Sequence, residues 1–249
     1  MVRLFRRRKK VTPETQFPMA QGRHYFSVLQ DLHKAITPEW YLEIGVQEGK
    51  SLRLSSANTV GVDPEPKFSP NDWDKASSLY LFAETSDDFF ANKHLDDIGC
   101  RFQLAFLDGM HLYEFLLRDF FNTERYMDPS GVIVLHDCLP WSENMAHRDR
   151  SQVDGPSWTG DVWKVVPILK KFRPDLSVRI LDAAPTGLVV IDSLDPNSTV
   201  LADKYDQILA EQNDNTDLAT YLEEITIESV KRRVLFGSSK WWDLTRRAR

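Results

Sequence analysis

Along residues 21–192, short apolar runs alternate with stretches whose apolar positions recur at helical spacing. The runs at 40–46, 59–63, 78–83, 102–108 and 131–137 are nearly continuous, as in LAFLD ending at Asp108 and GVIVLHD ending at Asp137. Such runs suit strands buried on both faces of a parallel sheet. Helical spacing predicts helices over 21–36, about 50–57, 87–97 and 112–127; in the first, Phe26, Leu29, Leu32 and Ile36 share a face, and Pro38 ends it. A further helix over 160–172 has Asp161 near its start and Val162, Val165, Val166 and Leu169 as its apolar face, with Pro174 as its stop. Two more strands, 177–182 and 187–192, are joined by AAPT, and residues 198–228 read as helical and acidic. Alternating strands and helices predict an α/β fold with helices on both faces of the sheet.

The stretch YLEIGVQEGKS (41–51) followed by GVDPEP (61–66) reads as strand, glycine turn, helix start and second strand ending in an acid. Gly45 and Gly49 let the backbone turn sharply and come close to a ligand. Ser51 falls near a new helix N-terminus, where free N–H groups attract an anion. Asp63, at the end of the second strand, can accept hydrogen bonds from ribose hydroxyls. A nucleoside-containing cofactor at the carboxyl edge of the sheet follows. A Walker A loop is excluded by spacing, since only Val46, Gln47 and Glu48 separate Gly45 from GKS, and the GxGxxG fingerprint is absent.

Glu43, Gly45, Gly49 and Ser51, together with Asp63, resemble motif I and the following acid of the class I S-adenosylmethionine-dependent methyltransferases. Within them the chain looks most like the small-molecule O-methyltransferases of antibiotic-sugar and catechol type, over roughly residues 38–193. The resemblance implies a Rossmann-like seven-stranded sheet of order 3-2-1-4-5-7-6 with its last strand antiparallel. It implies S-adenosylmethionine as cofactor, held at Glu43, Gly45, Gly49, Ser51 and Asp63, with Thr85, Ser86 and Asp108 beside it. Asp87 reads as the N-cap of the next helix.

Ligands sit outside the carboxyl ends of parallel strands, and two ends there deliver chemistry. The fourth strand ends in LDGMH, giving Asp108 and His111; the fifth ends in LHDC, giving His136, Asp137 and Cys138. Asp108 and Asp137 point from neighbouring strands into one cleft, where two carboxylates repel unless a cation or proton lies between them. The catechol-type enzymes hold a divalent metal at these two strand ends plus an Asn or Asp after the second. Cys138 occupies that third place and is a poor partner for Mg²⁺. The metal stays open: Mg²⁺ or another divalent cation with His136 or Asn144 substituting, or none. His111 lies where those enzymes carry a basic lysine, and a histidine there can take the acceptor's proton. Strand alternation sends His136 to the face opposite Asp137. The loop 139–160 carries Trp141, His147, Arg148, Arg150 and Trp158, and reads either as a lid over the cleft or as a solvated crossover.

The expected activity is methyl transfer to a hydroxyl of a small acceptor, glycosyl groups included. Two readings of other classes stand beside it: a non-catalytic nucleoside-binding module that recruits a partner, and a metal-dependent hydroxylase on the same fold. The 249 residues suffice for one large domain, with 42% apolar and 27% charged residues as in ordinary globular proteins. No apolar run matches a membrane span. Two cysteines outside any CxxC pair point to a reducing, cytoplasmic setting. The net charge of −6 hides an asymmetry: residues 1–10 carry +6 and residues 231–249 carry +6, leaving −18 between them. Basic ends can hold a polyanion, an anionic membrane or another subunit; nucleic acid is not the expected partner. Three regions result: a basic arm (1–20), the cofactor-binding domain (21–195), and a helical extension (196–249) that offers a cap or a homo-oligomer contact.

Overall fold

The computed structural model describes residues 16–75, 77–212 and 217–230. The basic stretches 1–10 and 231–249, including the apolar residues Val234–Phe236, Trp241 and Trp242, lie outside them. In chain order the elements are α1 (Tyr25–Ile36), β1 (Trp40–Ile44), β2 (Asn58–Val62), β3 (Leu79–Phe82), α2 (Ser86–Ala91), α3 (His94–Ile98), β4 (Phe102–Leu107), α4 (Tyr113–Glu124) and β5 (Met127–His136). Then follow α5 (Val165–Phe172), β6 (Ser177–Leu181), β7 (Leu188–Asp192), α6 (Val200–Asp203), α7 (Tyr205–Gln212), α8 (Leu218–Glu224) and the two-residue β8 (Ile227–Glu228). They build one sheet of order β3-β2-β1-β4-β5-β7-β6-β8. Strands β1 to β5 pair in parallel, and β7 is antiparallel to both neighbours. The sheet is the expected seven strands plus β8, which adds to the β6 edge.

Side-chain alternation divides the core between the two faces. Leu42, Ile44, Leu107, Ile133 and Leu135 pack with Leu117 and Phe120 of α4 and Val166 and Leu169 of α5. Tyr41, Leu104, Phe106, Val132 and Val134 pack with Leu29 and Leu32 of α1 on the other face. Phe106 is fully buried there; truncating such a phenylalanine to alanine costs about 3–5 kcal/mol.

Four expectations change in detail. The helix over 50–57 is a single 3₁₀ turn, Leu52–Leu54, because Ser51 turns its hydroxyl inward to Glu43 (2.7 Å) rather than capping a helix. The helix over 87–97 is broken into α2 and α3 at Lys93, whose φ is 56°. Thr85, not Asp87, is the N-cap of α2: its hydroxyl accepts from the Asp88 N–H at 3.2 Å. The helix over 160–172 starts as a 3₁₀ turn, Val162–Lys164, ahead of α5; Asp161 Oδ1, just before it, accepts from the Tyr113 N–H at the start of α4 at 3.1 Å.

Candidate active site

A cavity of about 660 Å³ lies outside the carboxyl ends of β1, β2, β4 and β5. The strand order reverses between β1 and β4, and such switch points open a crevice in α/β sheets. The two strand ends touch through backbone. The Asp108 N–H donates to the Ile44 carbonyl at 2.8 Å. Gly45 has φ 89°, and a Cβ there would lie 1.9 Å from the Asp108 carbonyl oxygen. Only glycine fits that approach.

Of the residues singled out from the sequence, Gly45, Asp63, Thr85, Ser86, Asp108, His111 and Asp137 line the cavity. Glu43, Gly49 and Ser51 do not line it; Glu43 and Ser51 meet each other instead. Glu43 is fully buried, and its carboxyl accepts from the Tyr41 hydroxyl (2.6 Å) and the Ser51 hydroxyl (2.7 Å). Burial pushes its pKa up to about 8, against the opposing hydrogen bonds from Tyr41 and Ser51. Gly49 (φ 70°) passes so close to Phe68 that a Cβ would meet its ring at 2.5 Å. Asp63 fastens the same turn from the cavity side: one oxygen accepts from the Gln47 N–H (2.7 Å) and the other from the Glu65 N–H (2.8 Å).

Across the cavity, four ionisable side chains converge. Ligand atoms of Asp108, His111 and Asp137 all lie within 4.8 Å of one another. His111 Nε2 is 3.6 Å from Asp108 and its Nδ1 is 3.5 Å from Asp137. The fourth member is His136, with Nδ1 3.1 Å from Asp108 and 3.4 Å from Asp137. Alternation does place the His136 ring on the α1 face, tilted against Tyr25 with centroids 4.2 Å apart. The chain then bends at Asp137, which has φ 63°, and the edge of the ring reaches over the strand end into the cluster. The expectation that His136 stands apart from Asp137 is therefore corrected. A positive φ at a non-glycine residue is the local feature that alternation could not foresee.

Hydrogen-bond logic fixes proton positions. Thr186 donates its hydroxyl proton to Asp137 at 2.5 Å, so it can only accept from His136 Nε2, 3.4 Å away. His136 Nδ1 faces a carboxylate, which only accepts. Burial pushes His136 down, but Asp137 and Asp108 outweigh it and raise its pKa to about 8. His111 Nδ1 lies 2.7 Å from the Trp158 carbonyl and must donate to it, leaving Nε2 toward Asp108. Burial lowers His111 as well, yet Asp108 and Asp137 bring it up to about 9. Asp108 is in turn held well below the ordinary carboxylate range, since the two imidazoles overcome its burial. The carboxylates thus raise both imidazoles, and the imidazoles in turn hold Asp108 down.

Cys138 does not join it. Its thiol is buried in the core and directed at the His136 and Val162 carbonyls. Asn144 accepts from the Asp154 N–H within the loop. Nor are the loop arginines free: Arg148 bonds Asp161 at 2.6 Å and Glu114 at 3.0 Å, and Arg150 bonds the Val153 and Gly155 carbonyls. The Arg148 contacts tie the loop 139–160 to Glu114 of α4 and to Asp161. Trp158 packs at a tilt against His111 with centroids 5.1 Å apart. Gly160 approaches so closely that a Cβ would lie 1.7 Å from the His111 carbonyl oxygen. Among the described residues no helix is long and apolar enough to cross a membrane.

The strand order, the glycine turn and the crevice define the Rossmann-like class I fold of S-adenosylmethionine-dependent methyltransferases. Residues 42–138 match a family model described as a methyltransferase domain. Among solved structures, the chain is similar to the O-methyltransferase TomG from Streptomyces achromogenes, involved in tomaymycin synthesis and solved in complex with SAM. That match has 16% identity and a TM-score of 0.54, covering 69% of this chain and 80% of TomG. It is also similar to an O-methyltransferase from Bacillus cereus solved in complex with SAH, at 14% identity and a TM-score of 0.51, covering 70% of this chain and 83% of that one. No curated protein matches the sequence.

Proposed function

We propose that the protein transfers a methyl group from S-adenosylmethionine to a hydroxyl of a small acceptor, glycosyl acceptors included. The observation that carries this reading is one cavity with two differently equipped sides: a glycine turn with Asp63 at one, and Asp108, His111, His136 and Asp137 at the other. The residues fit the cofactor. The volume suits a ligand of that size, Gly45 removes the side chain that would block the turn, and Asp63 offers a carboxylate at the end of β2. The cofactor, when bound, supplies an electrophilic methyl group. Gly45, Gln47 and Asp63 would hold it, with Thr85, Ser86 and Asp108 alongside.

His111 is the acceptor's general base in this reading. Paired with two carboxylates it holds a proton at neutral pH. Positive charge bound beside Asp108 and Asp137 offsets that pairing and frees Nε2 to take a proton, while the Trp158 carbonyl keeps Nδ1–H in place. Alternatively, Asp108, His111 and Asp137 would hold a divalent cation that polarises a hydroxyl, with His111 then a ligand rather than the base. An imidazole beside two carboxylates suits manganese, iron or zinc better than magnesium. The same donor set is what favours the second reading, a metal-dependent hydroxylase on this fold.

The test is a methyl-transfer assay with isotopically labelled S-adenosylmethionine over a panel of hydroxylated acceptors. Label in an acceptor hydroxyl, lost in His111→Ala, supports the proposal. Turnover that requires iron and a 2-oxo acid, with no methyl transfer, assigns the hydroxylase.

A further inference from the structure

The described part of the C-terminal extension packs on α4, and one side chain carries that contact through to the cofactor cavity. In α7, Ile208 is fully buried in the core, with Leu209 packed against it. Tyr205, at the start of α7, sets its ring edge-on to Phe121 of α4 with centroids 6.0 Å apart. Its hydroxyl accepts from Arg118 Nη1 and donates to the Glu114 carbonyl at 3.2 Å. Arg118 meets the cavity wall with its other edge. Its Nε and Nη2 donate to the two Asp87 oxygens, each at 2.7 Å. Its guanidinium also lies over the Phe115 ring, 4.3 Å from the centroid. Asp87 and Phe115 both line the cavity, as do Thr85 and Ser86 just before Asp87.

This geometry selects arginine. A planar fork meets both oxygens of a carboxylate at once, while its flat face covers a ring. A lysine there would be a point charge that leaves the carboxylate and the ring free to turn. The Arg118 side chain is 23% exposed and that of Asp87 40%, and an ion pair so open to water adds little to overall stability. What it fixes is direction. With Asp87 clamped, the first turn of α2 and the Phe115 ring keep one arrangement along the cavity. A wall already in place lowers the ordering cost of binding, so its loss shows in affinity.

Given the cofactor reading of the cavity, on which this rests, we propose that Arg118 is a positioning residue for S-adenosylmethionine. It clamps Asp87 and Phe115 into one preformed wall, and Tyr205 of the C-terminal extension steadies the clamp from behind. The extension thereby belongs to the support of the cofactor site.

The test is calorimetric titration of full-length variants with S-adenosylmethionine and, separately, with S-adenosylhomocysteine, which lacks the methyl group and its positive charge. Arg118→Ala should weaken binding of both by about tenfold, and Tyr205→Phe by about threefold. Arg118→Lys keeps the charge without the fork and should stay within about twofold of Arg118→Ala. Combining Arg118→Ala with Tyr205→Phe should weaken binding no further than Arg118→Ala alone, because Tyr205 acts through Arg118. Unchanged affinity in Arg118→Ala, full recovery in Arg118→Lys, a loss confined to S-adenosylmethionine, or additive losses in the double variant would overturn the proposal while leaving the cofactor reading in place. No saturable binding of either ligand by the unaltered protein would overturn the cofactor reading, and the proposal with it. Should Arg118→Ala lose its folded circular dichroism spectrum, Tyr205→Phe, which removes a single oxygen atom, decides: a loss of about threefold upholds the proposal, and unchanged affinity overturns it.

Discussion

On the β1–β2 side of the cavity, backbone does the shaping: Gly45 turns against the Asp108 carbonyl, and Asp63 is occupied by the N–H groups of Gln47 and Glu65. On the β4–β5 side, side chains do it: Asp108, His111, His136 and Asp137 meet as ion pairs under the Trp158 loop. A backbone cradle presents one rigid shape and suits an invariant ligand. A charged cluster under a loop responds to what enters it and suits chemistry. Substitutions on the two sides should therefore fail differently.

The largest effect is expected at the backbone side. Gly45→Ala forces a Cβ into the Asp108 carbonyl at a positive φ, which should cost at least about 3 kcal/mol. Urea denaturation measures it; a loss below 1 kcal/mol, on the order of an exposed substitution, would mean the two strand ends are less tightly joined. Next comes His111→Ala, which should slow transfer by about a hundredfold or more while leaving cofactor affinity nearly unchanged. Equal losses in both would place His111 among the cofactor contacts. Asp137→Asn should remove any response of activity to chelators and divalent cations; a retained response would move the cation away from β5.

Asp63→Ala is smaller, weakening cofactor binding by about tenfold with the transfer rate at saturation preserved. Most gradual is a pH effect on stability, spread over several pH units. Glu43 has an ordinary value of 4.5 and a folded value near 8. A carboxyl raised by folding stabilises fully below the lower value, and that stabilisation is lost as pH rises toward the higher. Denaturation should show stability falling from about pH 4.5 to 8, at no more than ~1.4 kcal/mol per pH unit from this group. Asp119, raised by burial to about 7, acts in an overlapping window. Glu43→Gln should therefore reduce the slope and leave some of it; an unchanged slope would contradict a protonated Glu43.

The same contrast governs what the sequence reveals. Strand runs and Gly45 are legible because sheet burial and a positive-φ turn each impose a residue type at a position. Asp63, Asp108 and His111 follow, since they sit one to four residues beyond a strand end. Glu43 and Ser51 are visible as part of the motif, but their meeting depends on the turn after β1 that brings Ser51 back to the strand. The share of His136 in the cluster depends on a backbone twist at Asp137, and the roles of Arg148 and Asp161 on contacts with α4 across the cleft. Period-2 and period-3.6 patterns carry no record of such long-range pairings. Gly160 is a visible signal in the loop, a glycine where the loop meets His111.

The most direct measurement is a calorimetric titration of the unaltered protein, Asp63→Ala and His111→Ala with S-adenosylmethionine. Saturable binding by the unaltered protein, weakened in Asp63→Ala and retained in His111→Ala, is the predicted result. No saturable heat from the folded, unaltered protein, with or without a divalent cation, would contradict the assignment of the cavity to this cofactor.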